Sequence, residues 1–262
     1  MKKKILTALG IMAGTSMDGV DLSLIKSDGD HEFTHILDNY IEFDTDLQKK
    51  LINLRSYISD KNDLKKYSKE SREIEKQFTL FCGKAINNLL SNNKMKVDLI
   101  GFHGQTIFHD QKNKISKQLG DGNLLSQITQ KVVVNDFRQE DLINGGQGAP
   151  LTPIYHKLLS KLIAEKHRLK FPINIINIGG ITNITQIIND DNLMKKNLIA
   201  FDIAPGNCLI DEWVRKNSKN KFDKNGAIAK SGKINDLILN QAIDNFEIST
   251  YQKSLDIKDF DV

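Results

Sequence analysis

Apolar and polar positions follow two different periods along this chain. Residues 4–12 form a mostly apolar run, and Val20-Asp21-Leu22-Ser23-Leu24-Ile25 alternates with period two. A strand, a turn over residues 13–19 and a second strand are therefore predicted. A third strand is expected near residues 35–43. Residues 63–93 switch to helical spacing. Ile74, Phe78, Phe81/Cys82, Ala85/Ile86 and Leu89/Leu90 make one stripe, so this region predicts a helix packed on a core, with Cys82 as core filler. Residues 97–102 predict a short buried strand ending in His103-Gly104-Gln105-Thr106. A short helix is expected at 124–130, then a strand at 131–134 ending in Asn135-Asp136-Phe137-Arg138.

A polar, Gly-rich stretch at residues 144–150 marks a change of character and places a domain boundary, with an N-terminal domain over 1–138 and a second over 139–262. The second part repeats the opening grammar. A helix at 154–165 leads to a strand at 173–178, a turn Gly179-Gly180-Ile181-Thr182-Asn183 and a strand at 184–188. A strand at 198–203 then runs into Ala204-Pro205-Gly206-Asn207, and helices are expected at 208–216 and 234–246. Two hairpins, each with a Gly/hydroxyl turn, form a weak internal duplication. Strands alternating with helices make the fold class α/β.

Composition narrows the function classes. The chain has 262 residues, 39% hydrophobic and 27% charged, which is ordinary for a globular protein. No apolar run reaches the ~18–20 residues of a membrane span, and the lysine-led N-terminus lacks a signal-peptide cleavage pattern. No membrane partner is expected. The net charge of +4 rests on 37 basic residues, of which only five are Arg. Scattered lysines interleaved with acids read as a solvated surface, so no nucleic-acid partner is expected. Two distant cysteines fit a reducing cytosol, and six scattered histidines give no metal-ligand spacing.

The strand ends carry the candidate chemistry. In the first turn, Gly14 permits close approach, Thr15 and Ser16 add hydroxyls, and consecutive turn amides can cradle an anion. Asp18 would repel phosphate unless it serves Mg²⁺, a water or a sugar hydroxyl; a plain hairpin turn is the alternative. The Gly179-Gly180 turn follows the same logic, and two such turns would clamp a triphosphate from two sides. Neither a Walker A sequence nor a strand-linked G-x-G-x-x-G occurs, and no G-x-S-x-G elbow is present. Asp202 ends a strand and is a general-base candidate, with a turn or capping role as its alternative. Asn207 reads as a helix N-cap. Arg138 can fork onto a carboxylate or phosphate, or pair with Asp136 or Asp141. His103 reads as a hydrogen-bonded structural residue, and Gly120-Asp121-Gly122-Asn123 as a turn that could present Asp121 or Asn123 to a ligand, with an ordinary β-turn as the alternative.

Taken in order, these segments resemble the anhydro-N-acetylmuramic acid kinases. The resemblance runs through residues 10–21, His103-Gly104-Gln105-Thr106, Asp136-Phe137-Arg138, residues 145–151, Asn177-Ile178-Gly179-Gly180, and Phe201-Asp202 with Pro205-Gly206-Asn207. It implies a two-domain actin/hexokinase-like (ribonuclease H-like) kinase fold. It also implies ATP and Mg²⁺ as cofactors, an anhydro-amino sugar as substrate, and a cytoplasmic enzyme, with a homodimer allowed. Gly14, Thr15, Ser16, Met17, Asp18, Gly19, Val20 and Asp21 would bind the nucleotide together with Gly179 and Gly180. Asp202 would be the catalytic base. His103, Asp136, Arg138, Gln147 and Asn207 are the candidate sugar contacts. Residues 253–261 resemble a segment well inside the family's second domain, so that domain is expected to be incomplete here. The alternatives left open are a non-catalytic remnant that binds sugar or a partner, and a kinase of this fold with another substrate.

Overall fold

The computed structural model describes residues 4–189, 198–244 and 255. The chain divides into two compact units, residues 1–149 and 150–262.

The first unit runs β1 (Leu6–Ala13), β2 (Gly19–Ser27), β3 (Phe33–Glu42), α1 (Thr45–Tyr57), α2 (Lys61–Lys66), α3 (Ser68–Asn92), β4 (Leu99–Asp110), β5 (Ile115–Leu119), α4 (Gly122–Thr129), β6 (Val132–Asn135) and α5 (Phe137–Ile143). Its sheet has the order β3-β2-β1-β4-β5, and β6 also pairs with β4. The β1–β2 hairpin is antiparallel, whereas β1 and β4 run parallel. Parallel pairing requires a long crossover, and β2, β3 and the three helices provide it. Alternation sets the faces: Leu9 and Ile11 are buried, while Gly10 and Met12 face out. The α3 stripe behaves as its spacing predicts, with Ile74, Phe78, Cys82, Ala85, Ile86 and Leu89 buried. All but Ala85 join Leu9, Leu22, Leu24, Leu51, Leu54, Ile100 and Phe102 in one core, each large side chain stabilising the unit by roughly 1.5–3 kcal/mol.

In this unit three described elements escape the sequence pattern: α1, β5 and α5. The expected helix over 63–93 is broken at Tyr67 into α2 and α3. Tyr67, at φ −95° and ψ 20°, closes α2 and precedes α3. Asp60 and Asp63 form a reciprocal capping box that starts α2 at Lys61, ahead of the apolar stripe.

The second unit contains α6 (Pro153–His167), β7 (Ile173–Ile178), β8 (Ile181–Ile187), β9 (Leu198–Pro205), α7 (Asn207–Asn217), α8 (Ala227–Ser231) and α9 (Asp236–Asp244). Strands β7, β8 and β9 form an antiparallel sheet. The β7–β8 turn is tighter than expected, because Ile181, Thr182 and Asn183 already belong to β8. They pair with β9, and Thr182 and Asn183 also pair with β7. Helix α6 covers the face that carries Thr185: His156 Nδ1 lies 2.7 Å from Thr185 Oγ1, and both residues are buried. The mixed α/β architecture agrees with a sugar-kinase fold. Among residues 253–261 only Leu255 lies within the described residues. No helix among the described residues is long and apolar enough to cross a membrane.

Candidate active site

The β1–β2 turn is built from the backbone outward. The Met17 N–H donates to the Gly14 carbonyl at 3.3 Å, with Met17 in the left-handed region at φ 53°. That geometry sends the Met17 side chain into the core, where Val20 also lies; both offer a ligand only their backbone. The Gly14 carbonyl also accepts from Gln105 Nε2 at 3.0 Å. Gln105 is completely buried, and its Oε1 has no hydrogen-bond partner among the described residues. Thr15 and Ser16 are exposed. Ser16 Oγ donates to Asp18 Oδ1 at 2.6 Å, and the Tyr40 hydroxyl also bonds to Asp18. Burial, reinforced by the charges of Asp18 and Glu42, pushes the Tyr40 phenol up to about 12. Partial burial, then the charges of Asp18 and Asp38, hold the Asp21 carboxyl above its usual range.

Two glycines of this segment are glycine for different reasons. A Cβ on Gly19 would sit 2.5 Å from the Ile41 carbonyl and 2.7 Å from the Tyr40 ring, so packing demands it. A Cβ on Gly14 would meet nothing closer than Ser16 Oγ at 3.6 Å. Packing therefore does not require Gly14, and the turn backbone beside it is open to approach.

A second cluster in the first unit joins β4, α5 and the loop after α5. Arg138 Nε donates to His103 Nε2 at 2.8 Å, and Arg138 Nη1 donates to the Gly148 carbonyl at 2.7 Å. With Nε2 accepting, the His103 proton is assigned to Nδ1, 2.7 Å from the Gly104 carbonyl. Burial and the neighbouring guanidinium hold His103 down to about 4, so the ring is neutral near pH 7. Asp141 Oδ2 accepts from the Gly148 N–H at 2.8 Å, so the loop is held from both sides of one residue. Gln147, next to it, is exposed. Asp136 adopts φ 63° at the start of α5 without a side-chain capping bond, and partial burial followed by Glu140 raises its carboxyl.

In the second unit, Asp202 stands on β9 opposite Asn183 and is 8% exposed. Its Oδ2 accepts from the Leu255 N–H at 2.8 Å. The Gly179-Gly180 turn docks on the start of α7. The Asn207 N–H donates to the Gly179 carbonyl at 2.7 Å, and those of Gly206 and Cys208 reach the Gly180 carbonyl at 2.9 and 3.3 Å. Asn207 is thus the first residue of α7, and Gly206 holds the N-cap position without a side-chain cap. The expected Asn207 cap is displaced because the turn carbonyls already take these N–H groups. Asp121 is likewise a cap: its carboxylate accepts from the Leu124 N–H at 3.0 Å to begin α4.

Tyr40, Gln105 and Leu255 are the partners that sequence reasoning missed. Tyr40 lies on an exposed position of β3, and Gln105 sits inside β4, which runs past the expected strand end to Asp110 because it pairs with β5. Leu255 acts through its backbone, which leaves no mark in the sequence. Among the described residues no three His, Cys, Asp or Glu side chains group to hold a metal ion.

A family model described as anhydro-N-acetylmuramic acid kinase matches residues 6–254. The chain is 49% identical over 262 residues to the anhydro-N-acetylmuramic acid kinase of Pelagibacter ubique, covering 99% of this chain and 68% of the relative. It is 34% identical over 264 residues to the enzyme of that name from Agrobacterium fabrum, covering 98% and 68%. It is 35% identical over 260 residues to the one from Brucella canis, covering 97% and 67%. With its ordered strand-end blocks and a match that spans nearly its whole length, the chain belongs to the anhydro-N-acetylmuramic acid kinase family.

Proposed function

We propose that this chain opens the 1,6-anhydro bond of anhydro-N-acetylmuramic acid and phosphorylates O6, giving N-acetylmuramic acid 6-phosphate and ADP. Membership of a kinase family implies ATP as the phosphoryl donor. The observation that supports the hydrolytic half is the buried carboxylate of Asp202, which lies within β9 and not at its end as expected, because β9 keeps pairing with β8 as far as Pro205. Water must attack the anomeric carbon while the bond from that carbon to O6 breaks. O6 takes the γ-phosphoryl group as ADP leaves, and the water proton goes to Asp202 and then to solvent. One carboxylate serves as base, as in an inverting glycosidase. No carboxylic acid is needed opposite it, because phosphorus captures the departing oxygen.

The first turn is suited to phosphate. Gly14 leaves its backbone open, and Thr15 and Ser16 present exposed hydroxyls. Gly179 and Gly180 would hold phosphate in the same manner. Mg²⁺ often takes only one or two carboxylates and completes its shell with substrate phosphates and water. Asp18 lies near enough to Asp21 for its charge to raise the Asp21 carboxyl, and these two are the carboxylates that would hold the ion. Once bound, it would offset charge on the phosphates. His103, Asp136, Arg138, Gln147 and Asn207 are the proposed sugar contacts, and Arg138 would meet the lactyl carboxylate of the muramic acid.

The test is product analysis by phosphorus NMR with ATP, Mg²⁺ and the anhydro sugar, against simple hexoses as controls. Turnover of the anhydro sugar alone is expected. Asp202→Asn is expected to lower kcat about a hundredfold to ten-thousandfold with ATP affinity near the parent value. Retained turnover in that variant overturns the base assignment. Phosphorylation of hexoses instead overturns the substrate.

A further inference from the structure

We infer that the backbone N–H of Leu255 positions the carboxylate of Asp202 for proton abstraction. This rests on the reading of Asp202 as the base. The two residues are 53 positions apart, yet the N–H lies 2.8 Å from Asp202 Oδ2, within the range of a charge-assisted hydrogen bond. A carboxylate on a strand can rotate about two side-chain bonds. Tying one oxygen to a donor of the main chain sets the plane of the group and so the direction of its lone pairs. A base works only when aligned with the proton it takes, and a small misplacement costs much of its effect. The donor is also an amide, which cannot take the proton from Asp202. The half-buried Leu255 side chain is not part of this role. The Leu255 N–H is therefore a positioning group that acts through Asp202, not a group that touches the reacting atoms.

The experiment removes the N–H alone. Leu255 is replaced by its α-hydroxy analogue, which substitutes an ester oxygen for the N–H and keeps the side chain, in both the parent and the Asp202→Asn background. In the parent, kcat should fall about tenfold to a hundredfold while the KM values for ATP and sugar stay within about twofold. In Asp202→Asn the ester should lower the residual turnover no further. An ester that leaves kcat unchanged, or that lowers it equally in both backgrounds, overturns the positioning role and leaves the base reading standing. Full turnover in Asp202→Asn overturns the base reading itself. Should the ester protein fail to fold, the amide spectrum decides. The Leu255 amide proton should resonate downfield in the parent and move upfield in Asp202→Asn, and an unmoved resonance overturns the contact.

Discussion

The two glycine turns share a sequence grammar and are braced in opposite ways. In the first unit the Gly14 carbonyl is held by a buried side chain, Gln105, and by the Met17 N–H. In the second, the Gly179 and Gly180 carbonyls are held by N–H groups at the start of α7. The first turn therefore depends on one amide side chain within a well-packed core, whereas the second depends on backbone packed so closely that no side chain fits. Burial differs in the same direction. Every residue of the large apolar cluster lies between Leu9 and Leu125, while Ile176, Ile178 and Ile199 of the second sheet are exposed. Similar turns can thus be equally recognisable in sequence and still fail for different reasons.

The sharpest way to break the comparison is at Gly206. A Cβ there would lie 2.2 Å from the Gly179 carbonyl, and neither backbone can yield without separating the turn from α7. Gly206→Ala should destabilise the second unit by about 3 kcal/mol or more, read by chemical denaturation.

Next in size is a pH effect confined to the first unit. The folded His103 pKa is lowered to about 4 from 6.5. Above pH 6.5 the ring is neutral in both states, and its contribution is fully present. Between 6.5 and about 4 the unfolded chain binds a proton that the folded chain does not. Stability should therefore fall toward acid by up to ~1.4 kcal/mol per pH unit. Urea midpoints at pH 7.5 and pH 5 would show the slope, and His103→Gln should flatten it. An unchanged slope in that variant assigns the effect elsewhere.

Gln105→Leu should cost about 1–3 kcal/mol, because it leaves the Gly14 carbonyl without its side-chain donor. It should also weaken ATP binding in calorimetry by loosening the turn; unaltered affinity would show that the Met17 N–H alone suffices.

The smallest stability effect is expected at Gly14, where an added methyl meets only Ser16 Oγ, at an ordinary contact distance of 3.6 Å. Gly14→Ala should change stability by no more than about 1 kcal/mol, in either direction. ATP affinity should nevertheless drop several-fold. A variant that keeps full affinity would remove Gly14 from the phosphate site.

Much of this protein was legible in its sequence. The apolar run of β1, the period-two alternation of β2 and the 3.6-period stripe of α3 report which residues meet water, a property local to each segment. The blocks shared with the family were legible as residue types in a fixed order along the chain. Tertiary structure alone decided the rest. Helix α5 and strand β5 form where their neighbours supply packing and pairing, which periodicity over a few residues cannot register. His103 and Arg138 are 35 positions apart and Leu255 lies 53 beyond Asp202. Chain folding creates those hydrogen bonds, one of them through a backbone group that every residue but proline carries, so their partners could not be read from the identity of either residue.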